Sequence, residues 1–211
     1  MVTHHGAMSA RSALISVTVA LPPVVLAAVG VTHPIHLTAS SAEYWRNLHT
    51  AILPLLAFAP WIVARGGGAV FAWVVGVLGF LYAALYTALD VLEGICAGGL
   101  EVDGMGTATG TVFRLGNHIG EVGSVAFIGA TTIAAVTAIL RFRSAAVPPS
   151  ILEILGAVLF LQAHIYSPVG VIGQLALALG WVWLYFPLER PARARAVAVA
   201  PVIGGAVQQR D

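Results

Sequence analysis

Long apolar runs, separated by short polar punctuation, constrain this chain more than any other feature. A bilayer core takes roughly 20 apolar residues per helix, and six stretches reach or approach that length. They run from Ala13 to Val31, Ser41 to Ala64, Ala69 to Ala97, Thr111 to Leu140, Ser150 to Tyr166 and Pro168 to Pro187. Arg65 with the three glycines after it, and the segment Arg141 to Pro149, mark the clearest breaks. Ser40 with Glu43, and Ser150 with Glu153, have capping-box spacing and predict the starts of the second and fifth helices. Ser167-Pro168 predicts a tight turn into the sixth, with serine as cap and proline at the first helical position. Pro22-Pro23 interrupts the first run, which lacks a small-x-small cleavage site and reads as a retained, kinked helix rather than a signal peptide. Pro54 predicts a kink in the second helix.

Charge then sets the class and the orientation. Only 9% of the residues are charged, against about 25% in a soluble domain, too few to coat a water-facing surface. A soluble enzyme and a disordered chain are excluded. Ten arginines and no lysine against nine acids give a net charge of +1, which is no footprint for nucleic acid. The lack of lysine removes Schiff-base chemistry, and a single cysteine, Cys96, removes disulfides and thiolate cages. With six spans, Arg11, Arg65, Arg141, Arg143, Arg190, Arg193, Arg195 and Arg210 fall on the side of the termini, and only Arg46 and Arg114 on the other. Eight against two is a positive-inside bias. The expected fold is an all-α integral membrane protein, a six-transmembrane-helix bundle with both termini cytoplasmic. Residues 1–188 form the bundle domain, and 189–211 form a flexible basic tail that can touch anionic lipid. The expected location is the cell inner (cytoplasmic) membrane, and the Arg, Ala, Gly and Val bias suggests a GC-rich bacterial genome. Trp181, Trp183 and Tyr185 are expected in the inner aromatic belt, Tyr44 and Trp45 in the outer one, with no aromatic box.

On this topology the ionisable groups gather in the outer leaflet. His33 and His36 follow the first helix, and His49 lies about 12 Å along the second. Asp90 and Glu93 close the third, Asn117, His118 and Glu121 open the fourth, and Gln162, His164 and Tyr166 close the fifth. Asp90 and Glu93 are i,i+3, which places both on one helix face, and His118 and Glu121 repeat that spacing. A charge at membrane depth costs roughly 2.5 kcal/mol or more unless it is paired, wetted or bound to metal. Apart from Arg114 there is no cation nearby to neutralise three acids, so convergence on one cavity is expected. The small face Gly116, Gly120 and Gly123 favours close helix approach there.

Imidazole and carboxylate suit zinc, iron or manganese. The expected metal ligands are His49, His118, His164, His33 and His36, with zinc or iron as the ion. Glu121, Glu93 and Asp90 are the expected catalytic acids or bases, supported by Asn117, Tyr166 and Gln162. The first reading is a metal-dependent membrane enzyme acting on a lipid-like or other amphiphilic substrate. A metal-free acid cavity like that of a membrane terpene cyclase is a second, with an acid raised by burial. A haem b carrier ligated by paired histidines is a third, and an ion or proton transporter a fourth, against which the apolar inner half counts. A structural or accessory subunit stays open. No HExxH pair, GxSxG elbow or HxxxH pair is present, so spacing alone names no reaction. Membrane lipid is the expected surrounding, and oligomeric state is left open.

Overall fold

The computed structural model of the chain describes residues 10–53 and 67–184. Regular structure among them is helical, with no strand among the described residues. In chain order it comprises α1 (Ala10–Thr32), α2 (Ala42–Ile52), α3 (Ala69–Leu89), a π-helical segment (Asp90–Cys96), α4 (Ala97–Val102), α5 (Thr109–Phe142), α6 (Val147–Ala163) and α7 (Val169–Leu184). Three continuous stretches are long and apolar enough to cross a membrane: Ala13–Thr32, Ala69–Val102 and Gly106–Ala163. The last of these reverses. Arg143 takes φ 56° after α5, a short 3-10 turn follows, and α6 packs back along α5.

The surface confirms the solvent these helices are built for. Leu14 on α1, Trp73 and Phe80 on α3, Val125 on α5 and Leu179 on α7 are all exposed, Trp73 at 74% and Phe80 at 70%. Large apolar side chains outside on every long helix, without an interspersed charged coat, are what lipid solvates and water does not. By length and composition, the described helices are those of an all-helical chain suited to a membrane.

Small residues set the packing inside. α3 and α5 run antiparallel, and α5 meets α3 through Gly116, Gly120 and Gly123, opposite Glu93, Leu89 and Leu85 respectively. A Cβ at Gly116 or Gly120 would overlap the Glu93 or Leu89 side chain, so the close approach requires glycine there. Gly94 and Gly98 do the same for α2, with His49 and Arg46 lying against them. Gly156 and Gly173 bring α6 and α7 together, and Gly30 seats the end of α1 on the Ile165 carbonyl. α1 is thus packed into the bundle, continuous through Pro22 and Pro23. The core is completed by Tyr82, Tyr86, Phe127, Phe160, Leu177 and Trp181.

Several expectations need correction. Neither capping box forms. α6 begins at Val147, with proline in its first turn, so Ser150 and Glu153 lie inside the helix and are buried. α2 begins at Ala42, and Ser41 accepts the Thr38 N–H at 3.0 Å instead of capping the helix. Trp45 and Trp181 are buried at 2% exposure, not belt residues, whereas Tyr44 and Trp183 are exposed. Pro54, Arg65, Tyr185 and the basic tail lie outside the described residues.

Candidate metal centre

One end of the bundle is closed by the loop after α1, the start of α2, the π segment and the α6–α7 turn. Three histidines meet there, one from each of three separate chain positions. His33 comes from the loop after α1, His49 from α2 and His164 from the end of α6. One imidazole nitrogen from each lies within 4.8 Å of the other two. His33 and His49 are buried, at 6% and 2% exposure. The rings pack edge to face, with centroids 5.1 Å apart for His33 and His49 and 6.2 Å for His33 and His164. Trp45 and Tyr166 wedge against His33 at 4.7 and 4.8 Å.

The hydrogen bonds around the rings decide what this cluster presents. His33 Nδ1 lies 2.8 Å from the Pro34 carbonyl oxygen, and His49 Nδ1 lies 2.8 Å from the Trp45 carbonyl oxygen. A carbonyl only accepts, so each Nδ1 carries the hydrogen. In the neutral rings both Nε2 atoms then bear lone pairs, and these face each other at 3.4 Å. Two lone pairs so placed call for a cation between them, a proton or a metal. Ligand nitrogens on a tetrahedral ion, at about 2.0–2.1 Å from it, stand about 3.3 Å apart. The His33–His49 separation is already that of a ligand pair. His164 Nδ1 bonds the Tyr86 hydroxyl, and its Nε2 is buried without a partner. Burial pushes the His33 imidazole below its usual range, opposed by its bond to Pro34, which favours the neutral, ligating form.

The site is held by fixed elements. The Trp45 indole N–H donates to the Glu93 carbonyl at 2.7 Å, pinning α2 to the π segment. Both carboxylates, Asp90 and Glu93, lie in the π segment, whose turn is wider than that of an α-helix. Asp90 is buried and lines a small cavity with Tyr82, Tyr86 and His164, while Glu93 lines a larger one. Asp90 Oδ1 and Glu93 Oε1 have no hydrogen-bond partner.

The larger cavity, about 500 Å³, has His49, His164 and Glu93 in its wall with Trp45, Tyr86, Phe113, Phe160 and Tyr166. Asn117 and Glu121 also line it and are exposed residues, so the cavity reaches the bundle surface beside α5. The remaining residues proposed from sequence lie elsewhere. His118 is on the exposed side of α5 and outside the cluster, and His36 and Gln162 are exposed. The i,i+3 spacing of His118 and Glu121 fixes their angle to one another but not which neighbour either meets. Trp45, Tyr82 and Tyr86 were missed as site residues, and their signal was present: Tyr82, Tyr86 and Asp90 recur at i, i+4 and i+8, one inward stripe on the helix.

Fold and site together define an all-helical chain, with helices long and apolar enough to cross a membrane, and a largely buried three-histidine cluster that could hold a metal ion. No family model, curated protein or solved structure matches the chain.

Proposed function

We propose that the protein is a metal-dependent enzyme of the inner membrane, acting on an amphiphilic substrate that reaches the site sideways from the lipid. The observation that carries the reading is the pair of imidazole Nε2 lone pairs facing each other at 3.4 Å, with both Nδ1 hydrogens already committed to backbone carbonyls. That arrangement, ring hydrogen outward to a carbonyl and lone pair inward, is how proteins orient imidazole toward a metal. Three neutral nitrogens suit zinc or iron. Three protein ligands and an adjoining cavity are the pattern of a catalytic rather than a structural site. A bound ion supplies an activated water or polarises a carbonyl there. Glu93, in the cavity wall, is placed to take or return a proton at the substrate, and Glu121 with Asn117 to receive a polar head group at the mouth. Tyr166 closes the wall beside His164. His118 and His36 take no part in this reading.

The test is metal content. Protein purified from metal-replete cells is expected to hold one zinc or iron per chain, and His33→Ala and His49→Ala to hold none, while His118→Ala keeps it. A wild-type protein that binds neither ion with micromolar or tighter affinity overturns the reading. The aromatic wall favours one other reading, an acid-initiated cyclase in which Glu93 protonates the substrate and the ring faces stabilise a carbocation. That outcome is marked by turnover unaffected by chelation or by His49→Ala. A haem gains no support, because rings packed edge to face against Trp45 and Tyr166 leave no plane for a macrocycle.

A further inference from the structure

We infer that Asp90 anchors the histidine cluster from behind, acting through Tyr86 and one water in the small cavity to fix which nitrogen of His164 carries hydrogen. The consequence for metal affinity rests on the metal reading above. The hydrogen placement itself does not.

Tyr86 bonds His164 Nδ1 and its ring stacks on the imidazole, centroids 5.5 Å apart at 26°. A phenol oxygen both donates and accepts, so the bond has two solutions. With Tyr86 as donor, Nδ1 is the bare nitrogen and the hydrogen of the neutral ring sits on Nε2. That hydrogen then blocks the one ring nitrogen that Tyr86 leaves unpartnered. With His164 as donor, Nε2 offers its lone pair, and Tyr86 must give its own hydrogen elsewhere.

Asp90 supplies the acceptor. It stands one helical turn beyond Tyr86, is buried, and its Oδ1 has no partner. A cavity of about 20 Å³ is lined by Tyr86, Asp90 and His164, room for a single water. Ionised, the Asp90 carboxylate can only accept from such a water, and the hydrogens then run one way: His164 Nδ1–H to Tyr86, Tyr86 O–H to water, water to Asp90. The π segment begins at Asp90, and Asp90 lines this small cavity whereas Glu93 lines the larger one. Asp90 and Tyr86 are positioning residues, and neither lines up as a ligand.

The experiment is ¹⁵N NMR of histidine-labelled, metal-free protein, followed by zinc titration. Wild-type His164 is expected to carry its hydrogen on Nδ1. In Asp90→Asn the side-chain amide offers hydrogen where the carboxylate accepted it, and the His164 hydrogen moves in whole or part to Nε2. Tyr86→Phe, which removes one oxygen and keeps the ring, is expected to release the same preference. Both should weaken zinc binding about tenfold or more, and the double variant no further than Tyr86→Phe alone. A wild-type hydrogen on Nε2, or an unchanged His164 signal in both variants, overturns the anchor. If the hydrogen responds as stated but wild-type protein binds no zinc, the metal reading falls and the anchor stands. If zinc binds while the hydrogen does not respond, the anchor falls alone.

Discussion

His164 ends α6 with φ 49° and ψ −123°, backbone angles that belong to the first central residue of a II′ turn and are ordinary only for glycine. Holding a side chain there costs on the order of 1 kcal/mol or more. The prediction inverts the usual helix ranking. His164→Ala and His164→Gly remove the same ring and both abolish metal binding. Alanine must still adopt the positive φ, so it should be the less stable of the two by about 1 kcal/mol. Thermal unfolding in one detergent checks the order, and alanine equal to or above glycine refutes the backbone argument. At this scale the sequence was partly legible. His33, His49 and His164 are recognisable as polar groups at matching depth, because spans and rise per residue give depth. Azimuth is not readable from depth, and so His118, at a similar depth, turns outward while Trp45 and Tyr86 turn in.

The elements were legible where hydropathy alone defines them, as with α1 and α5, whose ends fall within a few residues of the apolar runs, whereas the third run, expected to Ala97, leaves α-helical geometry after Leu89. The π segment Asp90–Cys96 was not, since an inserted wide turn leaves hydropathy unchanged and shifts only which faces meet. Its effect is concrete at Gly94, where a Cβ would overlap the His49 ring. Gly99, one turn on in α4, has open space where a Cβ would stand. Gly94→Ala should therefore destabilise by about 1–3 kcal/mol through overpacking and displace His49, weakening zinc binding at least tenfold. Gly99→Ala gains helix propensity at no steric cost and should be neutral or slightly stabilising, with zinc affinity unchanged. Equal zinc affinity in the two variants would mean that the contact between the π segment and α2 does not position His49.

For the whole molecule, the distribution of loops gives the topology a consequence beyond counting spans. The segment after α1, the Asp103-Gly104 turn and the α6–α7 turn share the histidine end, whereas Gly67-Gly68 and the α5–α6 turn share the other. That second end carries Arg141 and Arg143. Arginine is retained on the cytoplasmic side during insertion, so the histidine end is expected to face outward, with both termini inside. The orientation decides which pool of metal and which lipid leaflet the cavity draws on. Glu121 and Asn117 at its mouth would meet the outer leaflet. A periplasm-dependent phosphatase inserted at Gly104 should be active, and the same reporter fused after Arg195 inactive, while a fluorescent reporter that matures only in the cytoplasm shows the opposite pattern. Activity of the phosphatase at Arg195 but not at Gly104 would place the cluster on the cytoplasmic side, and the proposed substrate would then have to be drawn from the inner leaflet.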